Sequence, residues 1–202
     1  DEAIATYRLA LTVKADSPTI MVNLGKALAE AGQLEAGLEQ LRAACQVKPP
    51  SADAQYNLGV LLFRKEDLGS AINAYKAALA IDPNHADALQ GLAEIALQLD
   101  KPEDALAHHT RLLEHGDASS DILYNCGVLS QQMGDSGEAV RFYEAALEKE
   151  PNFAEALLNL GHALEASGSG DRARDCWIKA LDLKPELAYG YFAPRVESPA
   201  QA

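Results

Sequence analysis

The sequence predicts an all-α solenoid, in which antiparallel helix pairs stack side by side. Three observations predict it: an apolar residue followed by a small one returns at a fixed interval, apolar spacing within each interval is helical, and turn residues separate the helical stretches. The returning residue is Leu24, Leu58, Leu92, Cys126 and Leu160, each 34 residues after the one before. Five occurrences at four equal intervals, without an insertion, indicate one repeated structural unit, whose copies bury their apolar faces against each other.

Helical spacing is clearest in the second copy. There Leu58 and Leu62 are four residues apart, and Ala71, Tyr75 and Ala78 follow i, i+4, i+7, which places each set on one helix face. Counting Ala52 as position 1, small residues recur at position 8 and again at position 20, as Gly37, Ala71, Ala105, Ala139 and Ala173. Position 24 is bulkier, with Leu41, Tyr75, His109, Tyr143 and Trp177. We interpret the small residues as the points where the two helices of a copy cross closely.

Turn and breaker residues give the limits of the helices. Positions 15 to 18 hold Gly32-Gln33, Glu66-Asp67, Asp100-Lys101-Pro102, Gly134-Asp135 and Gly168-Ser169-Gly170. Pro83, Pro151 and Pro185 end the second helices, because proline disfavours a helical conformation in the residue before it. In the third copy Gly116 takes over this role, and we expect it to adopt a left-handed conformation.

These signals divide the chain into seven segments. Full copies span 18–51, 52–85, 86–119, 120–153 and 154–187, of which 86–119 is the most divergent. Residues 1–17 are predicted to contain the second helix of a truncated leading copy, since Ala3, Tyr7 and Ala10 occupy positions 20, 24 and 27. Residues 188–202 are predicted to be a C-terminal cap, formed by aromatic residues near Tyr191, followed by a mobile tail. An alternative is that this tail docks in a groove.

The repeat length and its signature positions resemble those of the tetratricopeptide repeat family over residues 1 to about 191. The resemblance implies a right-handed superhelical solenoid. It also implies that the first helix of each copy lines a concave groove, with positions 2, 5, 6, 9, 12 and 13 turned inward. Members of the family bind proteins or peptides there.

Composition narrows the choice of partner. A net charge of −13 disfavours nucleic acid and anionic membrane surfaces. No apolar run approaches the length of a membrane span, and Cys45, Cys126 and Cys176 lack the spacing of a disulfide framework or a zinc site. Cys126 stands where other copies have leucine, so we expect it to be buried. The expected location is cytoplasmic, or periplasmic if an upstream leader was removed.

Catalytic and metal-binding patterns are weak, so the sequence predicts neither an enzyme, a cofactor nor a metal site. The carboxylates are spread in frame with the repeat, and no nucleophile or zincin motif occurs. His108 and His115 are seven residues apart on one predicted helix face, which is poor metal spacing. We expect His109 to lie in the core and the other two on the surface.

Position 6 is asparagine in four copies of five. The residues are Asn23, Asn57, Asn125 and Asn159, with Gly91 as the exception. Carboxamides can both donate to and accept from an extended peptide backbone. The series resembles the asparagine ladder in the repeat region of the O-linked N-acetylglucosamine transferases. The alternative is that the asparagines bond a neighbouring copy or are simply frequent at this position.

Other inward positions suggest the character of the ligand. An apolar strip comprises Tyr56, Val60, Phe63, Leu97, Tyr124 and Val128. Asp53, Asp87, Asp121 and Glu155 form a candidate acidic rim at position 2, although acids there also favour the positive N-terminal end of a helix. Tyr56, Asn57, Val60 and Phe63 are not required by the packing pattern and are the first candidates for ligand contact.

The sequence therefore predicts a non-enzymatic interaction module that binds an extended, apolar or mildly basic protein segment. Two alternatives remain. The chain is a self-assembling scaffold that forms homo-oligomers, or it is the substrate-recognition arm of a longer enzyme such as a glycosyltransferase.

Overall fold

Eleven α-helices and no strands make up the described part of the protein, residues 2–116 and 118–187 of a computed structural model. The chain divides into two compact units, residues 1–116 and 117–202. Unit 1 contains α1 (Glu2–Val13), α2 (Pro18–Glu30), α3 (Leu34–Gln46), α4 (Ala52–Arg64), α5 (Leu68–Ile81), α6 (Ala86–Gln98) and α7 (Pro102–Glu114). Unit 2 contains α8 (Ser120–Gln132), α9 (Ser136–Lys149), α10 (Ala154–Ala166) and α11 (Gly170–Leu183). The all-α class predicted from the sequence is confirmed.

The helices pack as pairs. The most extensive contacts are α2 with α3, α4 with α5 and α6 with α7 in unit 1, and α8 with α9 and α10 with α11 in unit 2. Short connections make successive helices antiparallel neighbours. Each predicted full copy encloses one such pair, while the exact boundaries of the copies stay predictions. In unit 1, α1 packs on α2 through Ile4, Tyr7 and Leu11.

Every pair turns through a left-handed residue at position 15. These residues are Gly32, Glu66, Asp100, Gly134 and Gly168, with φ between 54° and 82°. The backbone N–H of the third residue after the first helix then donates to a carbonyl inside it, as from Asp67 N to Leu62 O (3.0 Å) and from Asp135 N to Ser130 O (2.9 Å). Gly116, at φ 95°, adopts the expected left-handed conformation after α7. The predicted turns are thereby confirmed.

Capping side chains fix where several helices begin. Ser51 Oγ accepts from Ala54 N (3.2 Å) at α4, and Asp135 Oδ1 accepts from Glu138 N (2.9 Å) at α9. His85 does the same for α6, since its Nδ1 accepts from Ala88 N at 3.3 Å. This role of His85 was not predicted, although it stands at position 34, where other copies have Ser17, Ser51 and Ser119.

The close approach of paired helices is confirmed and has a specific cause. A Cβ on Gly59 would lie 2.6 Å from the Tyr75 ring, and one on Gly127 would lie 2.5 Å from the Tyr143 ring. The glycine at position 8 therefore makes room for the large residue at position 24. Tyr75 and Tyr143 are 3% and 0% exposed and belong to the cores of units 1 and 2.

Three further expectations concern single residues or segments. Cys126 is fully buried as predicted, and burial raises the pKa of its thiol to about 12. His109 is buried and His115 is exposed, as predicted, whereas His108 is half-buried. The predicted C-terminal cap and tail, including Tyr191, lie outside the described residues.

Candidate functional site

In each unit, the surface of interest is formed by positions 2, 5, 6, 9, 12 and 13 of the first helices. We call it the first-helix face. In unit 1 these helices are α2, α4 and α6, and in unit 2 they are α8 and α10. All the candidate residues predicted from the sequence lie on these five helices, and the two units are described separately.

An open cleft of about 570 Å³ lies on the first-helix face of unit 2. It is lined by Val128, Gln131, Gln132, Tyr143, Asn159 and His162. Three of these six carry carboxamides, and Val128 and Tyr143 supply apolar surface. A volume of this size is typical of sites that bind small ligands or side chains. Of the predicted residues, the structure brings Val128 and Asn159 together here.

Hydrogen bonds orient two of the cleft's carboxamides. Asn159 Nδ2 donates to the Tyr124 hydroxyl at 3.1 Å, and Gln131 Oε1 accepts from the Tyr143 hydroxyl at 2.9 Å. Asn159 thus keeps one amide hydrogen and its carbonyl oxygen for other partners, and Gln131 keeps both amide hydrogens. The amides are held in place yet retain donor and acceptor capacity.

Tyr124 belongs to an aromatic row that contacts the lining residue Tyr143. Its ring centroid lies 4.9 Å from that of Phe153 and 5.9 Å from that of Tyr143. At the other end of the cleft, the His162 ring lies 5.3 Å from Trp177, and burial lowers the pKa of His162. These rings hold the side chains that line the cleft in fixed positions.

The asparagines differ in how much of their amide is available. In unit 1, Asn57 Nδ2 donates to Asp53 O of its own helix at 2.7 Å, so one of its amide hydrogens is already bonded within α4. Asn23 is half-buried and, in unit 2, Asn125 is exposed. Neither has a side-chain hydrogen bond to another described residue. The asparagine ladder stays a prediction, and its members differ in exposure and in how many hydrogen bonds they already form.

The apolar strip of unit 1 is less separate from the core than expected. Tyr56, Val60 and Phe63 are half-buried and pack against the core of unit 1, so packing does require them. Their outer surfaces remain on the first-helix face, together with Leu97, which is 47% exposed. Tyr56 also contacts the rings of Tyr75 and His85, at centroid distances of 5.9 and 5.1 Å.

The four acids of the candidate rim stand in the first turn of their helices. In unit 2, Glu155 Oε1 accepts from Lys184 Nζ at 2.6 Å, and this hydrogen bond lowers the pKa of Glu155. In unit 1, Asp53 Oδ1 lies 3.4 Å from His85 Nε2. Asp87 and Asp121 are exposed, and neither forms an ion pair with a described residue. Glu155 therefore has a bonded partner, Asp53 lies near a histidine without a hydrogen bond to it, and Asp87 and Asp121 are available.

Gln131, Gln132 and His162 were not predicted as site residues. They occupy positions 12, 13 and 9 of the repeat, which are inward positions, so the repeat register contained the necessary signal. The roles of Tyr143 and Trp177 in supporting the cleft are not evident from the register, because position 24 belongs to the second helix.

Two properties of the described residues bear on other kinds of function. Within 2–116 and 118–187, no helix combines the length and apolarity needed to cross a membrane. The same residues contain no group of three or more histidine, cysteine or acidic side chains placed to hold a metal ion.

Sequence comparison identifies the repeat. A family model described as tetratricopeptide repeat matches residues 22–86, and a second model of the same description matches residues 62–124 and 131–189. No curated protein matches the sequence.

Solved structures share the fold. YrrB, a TPR protein with an unusual peptide-binding site, is 22% identical and has a TM-score of 0.75, over 89% of this chain and 93% of YrrB. A MamA protein is 21% identical with a TM-score of 0.70, over 90% of this chain and 98% of MamA. MamA AMB-1 is 20% identical with a TM-score of 0.71, over 88% and 98% of the two chains. At these identities the likeness is one of fold.

Proposed function

The chain belongs to the tetratricopeptide repeat family, and we propose that it is a non-enzymatic interaction module that binds an extended segment of a partner protein. The segment lies along the first helices, where carboxamides bond its backbone and apolar residues receive its side chains. One observation carries the proposal: the open cleft in unit 2 combines Gln131, Gln132 and Asn159 with the apolar surface of Val128 and Tyr143.

This composition suits an extended peptide better than a folded surface or a small charged ligand. A peptide backbone offers alternating donors and acceptors, and carboxamides provide both. The lining contains no residue that is always charged, so nothing there selects a strongly charged ligand. YrrB, which shares the fold, is a TPR protein with a peptide-binding site, and this supports the same general mode of binding.

Replacement of both unit 2 asparagines by alanine tests the amide ladder. Peptides are selected by phage display on the intact chain, and their affinity is measured by calorimetry for the wild type and for Asn125→Ala/Asn159→Ala. Because each backbone hydrogen bond contributes about 0.5–1.5 kcal/mol, we expect affinity to fall about tenfold. Circular dichroism verifies that the variant keeps its helices.

The matched control is Asn152→Ala, which makes the same change at an exposed residue between α9 and α10. It should bind like the wild type. Equal affinity of the double variant and the wild type would refute the ladder, and failure to select any peptide that binds the chain would refute the proposed function.

The self-assembling scaffold is a second candidate function. Light scattering of the intact chain across a concentration series tests it, and an increase in mass with concentration is the expected result. A wild type that stays monomeric across the series would rule out this candidate. The recognition-arm alternative stays a prediction that the complete reading frame would decide.

A further inference from the structure

A gap between two carboxylates interrupts the first-helix face of unit 1. Asp87, Gly91 and Glu94 follow i, i+4, i+7 on α6 and therefore share one face of that helix. Gly91 stands at the position that is asparagine in the other copies, so no side chain separates the two acids. We call the space above Gly91, between Asp87 and Glu94, the α6 notch.

The floor of the notch is the end of the Tyr75 side chain. A Cβ on Gly91 would lie 2.7 Å from Tyr75 Cζ and 3.1 Å from the Tyr75 hydroxyl oxygen. The absence of a side chain at residue 91 therefore makes room for this tyrosine. Tyr75 is only 3% exposed, and its hydroxyl has no hydrogen bond to a described residue. The hydroxyl oxygen is not one of the enclosed, unpartnered polar atoms of the described residues, so it reaches the surface, where it can bond a ligand.

Unit 2 contains an equivalent tyrosine whose hydroxyl does have a partner. Tyr143 also stands at position 24, and its hydroxyl donates to Gln131, which is at position 12. In the second copy, position 12 is Phe63, which has no acceptor. The missing partner of Tyr75 is therefore a property of the second copy and not of the repeat.

The carboxylates of the notch are also unpaired, and for Asp87 the reason is again that a partner present in another copy is missing. Glu155, at position 2 of the fifth copy, pairs with Lys184 at position 31. Asp87 has the same position in the third copy, where position 31 is Gly116. Asp87 and Glu94 are exposed, and neither forms an ion pair with a described residue.

The Tyr56 ring lies within the electrostatic influence of the Asp87 and Glu94 carboxylates. Its centroid is 5.9 Å from that of Tyr75. Burial raises the pKa of Tyr56, and the charges of Asp87 and Glu94 raise it further. The negative potential of both acids thus reaches an aromatic ring with a half-buried surface, an arrangement that attracts cations.

We propose that the α6 notch binds the side chain of a lysine or arginine in the partner segment. The cation lies between Asp87 and Glu94 and donates a hydrogen bond to the Tyr75 hydroxyl oxygen, while the aliphatic stem packs on the Tyr56 ring. This inference rests on the proposed function and specifies it: the segment carries a basic residue where it crosses α6.

Host peptides test the proposal. They are short extended peptides of alternating serine and valine, with lysine, arginine or norleucine at the centre, and their affinities are measured by fluorescence anisotropy. Two exposed ion pairs and one hydrogen bond to the Tyr75 hydroxyl are together sufficient for about a tenfold preference for lysine and arginine over norleucine. Asp87→Asn/Glu94→Gln should reduce this preference to less than about twofold and leave the norleucine affinity unchanged.

The control Glu39→Gln/Glu114→Gln removes two exposed carboxylates from the second helices α3 and α7, away from the first-helix face. It should keep the preference, which separates the notch from a general effect of net charge. Tyr75→Phe removes only the hydroxyl and should reduce the preference about threefold without loss of stability, because that hydroxyl has no internal partner.

Two results would overturn the proposal in distinguishable ways. If the wild type binds lysine and norleucine peptides equally, the notch is wrong while the proposed function stands. If no host peptide binds, NMR titration with N-acetyl-lysine methylamide examines the notch directly. A saturable shift of the Gly91 amide that disappears in Asp87→Asn/Glu94→Gln would support it, and the absence of that shift would overturn it.

Discussion

Gly127→Leu is expected to lower the free energy of unfolding by about 3 kcal/mol or more. The Cβ alone would lie 2.5–3.0 Å from three atoms of the Tyr143 ring, well inside van der Waals contact. Tyr143 is fully buried and cannot move away without displacing the packing of α8 on α9. Overpacking a close-packed interior costs about 1–3 kcal/mol for a few methylenes, and a complete leucine side chain exceeds that change.

Urea unfolding followed by circular dichroism measures this effect. Gly137→Leu provides the matched control in the same unit, because Gly137 is exposed and the nearest atom to its Cβ position, Asp135 Oδ1, is at an ordinary 3.6 Å. It should be neutral or slightly stabilising, since leucine has a higher helix propensity than glycine. Equal unfolding midpoints for Gly127→Leu and the wild type would contradict the close approach of these helices.

The sequence predicted the helix pairs because the signals for them are local and repeated. Helical spacing, turn residues at positions 15 to 18 and small residues at positions 8 and 20 appear in every copy, so a chance match in one copy does not decide the assignment. The register also identified Gly91 as the exception in the asparagine series. All of these signals depend only on distance along the chain.

The sequence could not predict which polar groups would be satisfied. Tyr75 and Tyr143 occupy the same position, yet one hydroxyl has a partner and the other does not, because the answer depends on a residue 12 positions earlier on a different helix. Likewise, Asn57 and Asn125 look equivalent in sequence, but Asn57 donates to its own helix. Such differences arise from side-chain conformations in three dimensions, and they decide which residues of the site are available to a ligand.

Tyr143→Ala should have the other large effect, a loss of about 3–5 kcal/mol of unfolding free energy. Tyr143 is the largest fully buried side chain in the described residues, and its ring fills the space above Gly127. Truncation removes this buried surface and leaves a cavity that the rigid helix pair cannot close, which is the usual cost of removing a core aromatic. The Tyr124 ring, 5.9 Å away, also loses a contact.

Tyr143→Phe distinguishes the contribution of the ring to stability from that of the hydroxyl. It keeps the ring packing and removes the hydrogen bond from the hydroxyl to Gln131. We expect a loss of about 1 kcal/mol of unfolding free energy, because water can reach the half-buried Gln131 and replace that bond. Tyr75→Phe, at the same position of another copy, should show no loss, because its hydroxyl has no internal partner. Thermal and urea unfolding of the three variants measures these differences. An equal loss for the two phenylalanine variants would mean that the Tyr75 hydroxyl has an internal partner, and it would remove the reason for assigning it to a ligand.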